Sequence, residues 1–383
     1  MRAIYLDNAA TSFPKPPAVA KAMLWYMEEV GASMNRGDYA AAQDTGMTAL
    51  ALREGLCRLF RHPDPPCCVL TPGNTWGLNM VIRGWLRSGD HCLVSAVEHN
   101  AVMRPLQDLA ARGVSFDRVP CDGAGRLDPA DVEKMIRPNT RLLVMAHGSN
   151  VSGAVQDAMA VGAVCRARGV PFVLDAAQTA GHWPVDFAAM GLSALSVPGH
   201  KGLMGPSGIG ALLLEPGFAR ALRPTVTGGT GSASDLETQP DYLPDKFEPG
   251  TSNLPGIYGL KAAVDFLLAT GPETLQAHET ALTARFLAGL RSVPGVRLAG
   301  PWEVRDRVGV ISLDFLTADN ALAADRLERE DGILTRCGLH CAPAAHRTLG
   351  TFPRGTVRFS PGWYNTEADI DAALEAIAEI AGG

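Results

Sequence analysis

Short apolar runs that alternate with amphipathic stretches constrain the fold of this chain more than any other feature. The runs that predict buried strands are Cys92–Ala96, Leu142–Ala146, Pro171–Leu174, Ala194–Val197 and Ile209–Leu214. The stretches with helical periodicity include Met103–Arg112, Pro129–Ile136 and Met159–Arg168. Strands that alternate with helices indicate a mainly parallel sheet with helices on both faces. Ligands of such sheets bind at the carboxyl ends of the strands, so the residues that follow each strand are the first candidates for a site.

The pattern changes near residue 255, where we predict that a smaller α+β unit begins. Before this point, residues 227–255 are polar and rich in glycine, which predicts a long loop. After it, helical patterns and short strands follow at 259–269, 276–292, 309–315, 319–329, 333–336 and 356–359. Thr366 and Asp369 have the spacing of a capping box, which predicts the start of a last helix.

The composition excludes several classes of protein. With 383 residues, 46% of them apolar, the chain is long enough for two domains with large cores. Its 34 basic and 40 acidic residues give a net charge of −6, which argues against a nucleic-acid partner bound through a basic face. No apolar run reaches the roughly 18–20 residues of a membrane span, so no membrane partner is expected. Eight irregularly spaced cysteines and the lack of a secretory signal predict a cytoplasmic protein with reduced thiols.

Polar side chains follow four of the predicted strands. The segments concerned are Glu98-His99-Asn100, His147-Gly148-Ser149-Asn150, Asp175-Ala176-Ala177-Gln178 and Pro198-Gly199-His200-Lys201. Taken singly, a histidine at a strand end, a helix-capping aspartate or a lysine in a glycine-rich turn is usually structural. Because the carboxyl ends of parallel strands meet at one edge of a sheet, the four segments together predict a site.

The residue types at this edge match the needs of one cofactor, pyridoxal phosphate. Lys201 lies among glycines, and a lysine amine can link covalently to an aldehyde. Asp175 directly ends an apolar strand, so its carboxylate needs a cationic partner such as a protonated pyridine nitrogen. The segment Thr71-Pro72-Gly73-Asn74-Thr75 leads into a helical pattern at 76–87 and offers donors for a phosphate. The chain has no P-loop motif, no early G-x-G-x-x-G and no H-E-x-x-H, which argues against three competing kinds of site.

A series of motifs resembles the class V aminotransferase family of fold type I pyridoxal-phosphate enzymes, and within it the cysteine desulfurases of the second type. The motifs in chain order are Tyr5–Thr11, Glu98-His99, Asn150, Asp175–Gln178, Gly199-His200-Lys201, Gly205–Gly208, Phe247–Thr251, Arg336–Cys341, Val357-Arg358 and Tyr364–Thr366. The resemblance implies an α/β fold with a large domain (residues 16–255) around a mainly parallel, mixed sheet of the seven-stranded type. It also implies a smaller C-terminal α+β domain (256–383) that carries a catalytic cysteine loop, and an N-terminal arm (1–15) packed on that domain.

The resemblance also implies a role for each candidate residue. Lys201 would hold the cofactor and carry a proton, Asp175 would pair with the pyridine nitrogen, His99 would stack on the ring as a catalytic residue, and Gln178 would contact the ring oxygen. Asn74, Thr75 and His200 would hold the phosphate, together with Thr251 from the other subunit of a homodimer. Asn150 and Arg358 would orient the carboxylate of L-cysteine, and Cys341 would take its sulfur as a persulfide for a sulfur-acceptor protein.

Two positions depart from the family pattern. Pro198 stands where relatives have a serine or threonine that donates to the phosphate, so we expect Ser196 or a water to replace that donor. Asn35 stands where relatives of the second type often have a histidine, which argues against a histidine that handles substrate at this point.

The cysteines divide into two groups. Six are predicted to pack as small apolar side chains: Cys57, Cys67, Cys68, Cys92, Cys121 and Cys165. Cys337 and Cys341 flank a short turn, and two interpretations remain open for them. Together with His340 and His346 they have the donors of a zinc site. In the favoured interpretation no metal binds, Cys337 packs, and Cys341 is a thiolate nucleophile in the positive field of Arg336, His340 and His346.

The predicted function is therefore a pyridoxal-phosphate-dependent cysteine desulfurase that converts L-cysteine to L-alanine. Two alternatives keep the cofactor and change the chemistry: a selenocysteine lyase, and a cysteine or cystine C–S lyase that gives pyruvate. A more distant alternative is a non-catalytic α/β binding module.

Overall fold

The computed structural model describes residues 3–34 and 37–382, so the departure at Asn35 lies outside the described residues. The strands in chain order are β1 (Ile4–Tyr5), β2 (Cys68–Thr71), β3 (His91–Ser95), β4 (Ser115–Val119), β5 (Thr140–Ala146), β6 (Phe172–Asp175), β7 (Ala194–Pro198), β8 (Gly210–Leu214), β9 (Val296–Leu298), β10 (Ile311–Phe315), β11 (Ile333–Leu334), β12 (Arg336–Gly338) and β13 (Thr356–Phe359). The α-helices in chain order are α1 (Pro17–Trp25), α2 (Ala40–Phe60), α3 (Asn74–Trp85), α4 (Asn100–Ala110), α5 (Pro129–Met135), α6 (Ala158–Arg168), α7 (Pro216–Ala221), α8 (Leu254–Thr270), α9 (Pro272–Leu290), α10 (Asn320–Asp331), α11 (Pro343–Thr348) and α12 (Glu367–Gly382).

The large domain is built around a seven-stranded mixed sheet, as predicted. Its strand order is β2-β8-β7-β6-β5-β3-β4. Strand β8 runs antiparallel to both of its neighbours, β2 and β7, and every other neighbouring pair is parallel. Strands β6, β7 and β8 are buried at every residue, because helices cover both faces of the sheet. This double burial explains why they appear in the sequence as continuous apolar runs.

All five predicted strands of this sheet are present, with ends displaced by two residues at most. The strands that the pattern did not predict are β2 and β4. Strand β2 is short and follows a 3-10 turn at Pro65–Cys67, while β4 lies at the sheet edge with exposed and half-buried residues. Apolar periodicity is weak in both cases, so pairing with the neighbouring strand decides their conformation.

The small domain contains a four-stranded antiparallel sheet in the order β12-β13-β10-β9. The N-terminal arm packs against this domain, since β1 pairs in parallel with β11 and Leu6 is fully buried in the small-domain core. The capping box predicted for the last helix is present: the backbone N–H of Thr366 donates to Asp369 at 2.9 Å, and that of Asp369 donates to Thr366 at 3.3 Å.

Helices α8 and α9, which lie near the predicted boundary at residue 256, pack mainly in different cores, and the boundary itself stays a prediction. Helix α8 buries Leu260, Val264 and Leu267 in the large-domain core, so it belongs to that domain. Helix α9 contributes Leu282 and Phe286 to the small-domain core. The sequence pattern did not reveal this difference because both helices are apolar enough to pack on either side.

In the part of the chain that the structure describes, none of the helices combines the length and the apolar content that crossing a bilayer requires.

Candidate active site

A cavity of about 470 Å³ lies at the carboxyl ends of the central strands, where the alternation of strands and helices predicts a site. Eight of the predicted site residues line it: Asn74, Thr75, His99, Asn150, Asp175, Gln178, His200 and Lys201. The parallel strands β3, β5, β6 and β7 end side by side, which brings residues far apart in the chain to one place. Arg358, Cys341 and Thr251 do not line this cavity.

Asp175 ends strand β6 with its carboxylate buried. Its Oδ1 accepts hydrogen bonds from the backbone N–H of Ala177 at 2.9 Å and from Nδ2 of Asn74 at 2.8 Å. Burial raises the pKa of Asp175, although both hydrogen bonds and the charge of Lys201 act in the opposite direction. Its Oδ2 accepts no hydrogen bond from the described residues. The carboxylate therefore needs a further cation or donor from the cavity.

Asn74 contacts a different partner from the one predicted. Its side chain binds Asp175 rather than facing the place of a phosphate, and its Oδ1 is buried with no partner in the described residues. The backbone N–H groups of Asn74 and Thr75, at the start of α3, have no acceptor among those residues. Two unpaired N–H groups at a helix N-terminus form a site for an anion. Asn74 thus offers its backbone to a phosphate and its side chain to Asp175.

Ser196 does not replace the donor that Pro198 lacks. It is fully buried beneath α3, where its hydroxyl donates to the backbone carbonyl of Asn74 at 3.3 Å. Ser207 lines the cavity instead and its side chain is exposed there. Sequence reasoning missed Ser207 as a donor, although the turn Gly205-Pro206-Ser207-Gly208 directly after the lysine segment was the feature that pointed to it.

Lys201 lies on the cavity wall in an environment that favours its neutral form. Burial lowers its pKa to about 8, and the charges of Arg358 and Arg336 act in the same direction. The carboxylate of Asp175 opposes this shift. A neutral amine is the form that attacks an aldehyde or accepts a proton from carbon, so the environment suits both tasks.

His99 caps helix α4. Its Nδ1 accepts a hydrogen bond from the backbone N–H of Ala101 at 3.0 Å, which leaves the ring proton on Nε2. Burial lowers the pKa of His99 to about 4, and the positive charge of Lys201 adds to the effect. His200 is similar, because burial lowers its pKa to about 4 and its Nδ1 has no partner in the described residues. Both rings are neutral at physiological pH.

The N-terminal arm holds three parts of the site. The carbonyl of Ala9 accepts a hydrogen bond from Nε2 of Gln178 at 3.1 Å. The backbone N–H of Ser12 donates to the carbonyl of His200 at 2.9 Å, next to Lys201. Asp7 pairs with Arg358. Residues at the start of the chain therefore fix two side chains and one backbone carbonyl that all lie more than 150 positions later.

Arg358 and Asn150, the predicted carboxylate-binding pair, both have protein partners. Arg358 lies on β13 with 1% of its surface exposed, and its Nη2 donates to Oδ1 of Asp7 at 2.7 Å. Its Nη1 donates to the backbone carbonyl of Asn150 at 3.3 Å, and its Nε is buried without a partner in the described residues. The Asn150 side chain donates to the carbonyl of His340 at 2.7 Å. A substrate carboxylate at this position would meet a guanidinium that is already oriented.

Thr251 is exposed, lies in the loop before α8 and does not line the cavity of its own chain. It borders two other cavities, of about 200 and 300 Å³, that adjoin Glu248 and Ser252. Its placement leaves it available to another subunit, and its predicted role there stays a prediction.

Cys341 lies in a tight turn between β12 and α11. The turn is closed by the backbone N–H of Ala342, which donates to the carbonyl of Leu339 at 2.8 Å. Cys341 is exposed, and its Sγ is 3.8 Å from Nη2 of Arg336. The Cys341 carbonyl accepts a hydrogen bond from the backbone N–H of Asn100 at 2.8 Å, which joins the turn to the start of α4 beside His99.

The two histidines near this turn do not supply the positive field that we predicted. Burial lowers the pKa of His340 to about 2 and that of His346 to about 4, so both are neutral. Each binds a threonine hydroxyl instead, His340 at 3.1 Å and His346 at 2.7 Å. Arg336 is left as the cation in contact with the Cys341 thiol.

Cys337 differs from Cys341 in its surroundings. It lies on β12, half-buried against the small-domain core, and burial raises the pKa of its thiol. This environment agrees with a packing role. Among the described residues, no group of three or more His, Cys, Asp or Glu side chains converges as a metal site, so the four zinc donors considered above do not come together.

Comparison with known proteins gives consistent matches over the whole chain. The family model described as Aminotransferase class-V matches residues 4–373. A probable cysteine desulfurase of Methanothermobacter thermautotrophicus is 33% identical, over 99% of this chain and 95% of that protein. A cysteine desulfurase of Cronobacter sakazakii is 32% identical, over 98% of this chain and 93% of that protein.

Solved structures agree with these sequence matches. The apo structure of a cysteine desulfurase from Thermococcus onnurineus superposes with a TM-score of 0.93 and 30% identity, covering 100% of this chain and 95% of that one. The cysteine desulfurase CsdA from Escherichia coli, in an S-sulfonic acid form, superposes with a TM-score of 0.88 and 30% identity, covering 98% and 94%.

Proposed function

The chain belongs to the class-V aminotransferase family, and on that premise we propose that it is a pyridoxal-phosphate-dependent cysteine desulfurase. It converts L-cysteine to L-alanine and holds the sulfur as a persulfide on Cys341. One observation carries this proposal: a low-pKa lysine and a buried carboxylate share a cavity, and an exposed cysteine lies close enough for its charge to affect that lysine.

The residues of the cavity fit pyridoxal phosphate. Asp175 has an oxygen without a partner in the described residues, which suits a protonated pyridine nitrogen. The start of α3 offers the backbone N–H groups of Asn74 and Thr75 to a phosphate, and Ser207 adds a hydroxyl. Gln178 and His99 remain the candidates for the ring oxygen and the ring face. When bound, the cofactor supplies an aldehyde for the lysine and a ring that accepts negative charge from the substrate.

Different residues of the protein carry out proton transfer, substrate binding and the attack on sulfur. Lys201, as a neutral amine, accepts the proton from Cα of cysteine and returns it. Arg358 and Asn150 bind and orient the substrate carboxylate. The Cys341 thiolate attacks the substrate sulfur: an S–S bond forms, the C–S bond breaks, and the electron pair stays on the carbon. That carbon takes up a proton, so cysteine and one thiol give alanine and one persulfide.

Three wider features are proposed from the family. Thr251 completes the phosphate site of the other subunit in a two-fold homodimer. A sulfur-acceptor protein approaches Cys341, because the turn is too short to carry the persulfide far. The cytoplasmic location stays a prediction.

The deciding experiment measures the products of L-cysteine with the purified protein and pyridoxal phosphate. We expect alanine in a 1:1 ratio with sulfane sulfur, and a persulfide on the Cys341 peptide in mass spectrometry. Pyruvate with ammonia and sulfide in place of alanine would support the C–S lyase alternative. A much larger kcat/KM for selenocysteine would support the selenocysteine lyase. If no product forms and no cofactor binds, the remaining alternative is a non-catalytic binding module.

A further inference from the structure

The Asn150 side chain joins the sheet edge to the turn that carries Cys341. Its Nδ2 donates to the His340 carbonyl at 2.7 Å, and Asn150 as a whole is 8% exposed and lines the cavity. Asn150 follows β5 in the large domain, whereas His340 belongs to the small domain. The predicted role of Asn150 toward the substrate does not account for this bond.

The backbone conformation of the turn is disfavoured for its residues, so it needs contacts that stabilise it. His340 and Cys341 have φ values of 48° and 58°, in the left-handed region that residues with a side chain disfavour. Two such residues in sequence match the φ signs of a type I′ turn, whose central positions favour asparagine and glycine. Histidine and cysteine at these two central positions favour other backbone conformations over this turn.

Two hydrogen bonds from the large domain oppose that bias. One joins the Asn150 side chain to the His340 carbonyl, and the other joins the backbone N–H of Asn100 to the Cys341 carbonyl at 2.8 Å. The Asn100 bond comes from the backbone N–H, so no side-chain substitution except proline removes it. The Asn150 bond comes from a side chain and can be removed alone.

We propose that Asn150 is a positioning residue for the nucleophile, which holds the Cys341 turn at a fixed place relative to the bound substrate. The inference rests on the proposed function and deepens it. An amide nitrogen carries two hydrogens: the His340 carbonyl takes one, and the other is left for the substrate carboxylate. One atom then fixes both the substrate and the turn, and so sets where the substrate sulfur lies relative to Sγ of Cys341.

The test measures the thiol without any turnover. Iodoacetamide alkylates the cofactor-loaded protein in the absence of cysteine, and mass spectrometry follows the Cys341 peptide. Rates are compared on the high-pH plateau, where the thiol is fully ionised and only access and mobility differ. We expect Asn150→Ala, and the isosteric Asn150→Asp that lacks the donor, to react at least about threefold faster than wild type, because the turn is then free to move.

Two controls test whether the effect comes from the loss of the bond between Asn150 and the His340 carbonyl. Asn139→Ala removes an amide-to-carbonyl bond of the same kind, from Nδ2 to the Gly89 carbonyl at 3.0 Å, at the opposite end of β5. It should leave the Cys341 rate unchanged. Cys337 on the same peptide segment should alkylate at the wild-type rate in every variant, which shows that the small domain is folded. Equal Cys341 rates in wild type and both Asn150 variants would overturn the proposal.

Turnover gives a second readout. Misplacement of the nucleophile should lower kcat in the Asn150 variants, whereas a residue that only bound the carboxylate would raise KM alone. The two proposals fail separately. Faster alkylation in a protein that makes no alanine would contradict the proposed function and support the positioning role. Unchanged alkylation in a protein that makes alanine would contradict the positioning role and support the proposed function.

Discussion

The sheet edge and the cysteine turn use burial in opposite ways. At the sheet edge, burial raises the pKa of Asp175 and lowers those of His99 and Lys201 to about 4 and about 8, so each shift favours the neutral form. At the turn, Cys341 is exposed and its thiol contacts Arg336. Desolvation thus sets the ionisation of the groups at the strand ends. The proposed transfer of sulfur from Cys341 to a second protein requires a thiol at the surface.

Removal of Lys201 should have the largest effect, because no other described amine lines the cavity. Lys201→Ala should lower alanine formation to below about a thousandth of wild type while the fold is retained. Product assays with circular dichroism and the visible spectrum of the bound cofactor measure both. Full turnover with an unchanged spectrum would show that the sheet edge is not the chemical centre.

Substitution of the two thiols separates the two regions. Cys341→Ser should keep the bound cofactor and lower alanine formation by about 100-fold or more, because the nucleophile is lost and the sheet edge is untouched. Cys337→Ser should retain most activity, since that thiol packs against the core. Isotope-labelled sulfur should appear on the Cys341 peptide. A label on Cys337 would reverse the assignment.

Arg358 tests the link between the regions, since it contacts the arm and the Asn150 backbone. Arg358→Lys keeps the charge but loses the planar fork that a carboxylate binds through two parallel bonds. We expect a loss of about 2–4 kcal/mol in binding, which is roughly a 30- to 1,000-fold rise in KM for cysteine. The matched control is Arg354→Lys, an exposed arginine. An unchanged KM for the Arg358 variant would remove it from the substrate site.

The pH dependence of cofactor capture should give the smallest effect. With a pKa of about 8, the Lys201 amine is neutral in about a tenth of molecules at pH 7 and in about nine tenths at pH 9. Capture of the cofactor's aldehyde by cofactor-free protein should therefore rise about tenfold over this range and then level off. Asp175→Asn should move the midpoint to lower pH, because Asp175 raises this pKa. A rise that continued above pH 10 would indicate an ordinary lysine.

The difference between the buried sheet edge and the exposed turn also explains how much the sequence could predict. Buried strands leave continuous apolar runs, so β3, β5, β6, β7 and β8 and the eight residues that line the cavity were predictable from the pattern and the resemblance. Strands β2 and β4 were not, because neither has a strong apolar period. The core that each of α8 and α9 joins was not predictable either, since an apolar helix such as α8 does not record which core it joins.

The hydrogen-bond partners and charges of several polar side chains were also not predictable from the sequence. The sequence placed the Asn74 amide at the phosphate, Ser196 or a water as the substitute donor, and two histidines in the positive field around Cys341. In the structure Asn74 binds Asp175, Ser196 lies under α3, and both histidines are neutral. Which acceptor a polar group meets depends on side-chain directions and burial, which residue spacing does not fix. The bond from Asn150 to His340 joins residues 190 positions apart and has no trace in local sequence.

The pairing of β1 with β11 has a consequence for the order in which the protein takes shape during synthesis. The seven-stranded sheet is complete once residue 214 has left the ribosome, but the arm's partners in the small domain lie near residues 333 and 358. At about 5–20 residues per second, the arm waits roughly 6–24 s more for the first of them. Through that interval Lys201 and Asp175 already lie at the sheet edge, the arm has only its contacts with Gln178 and His200, and Cys341 has not been made. We therefore expect the proposed cofactor to reach the cavity before the small domain is in place.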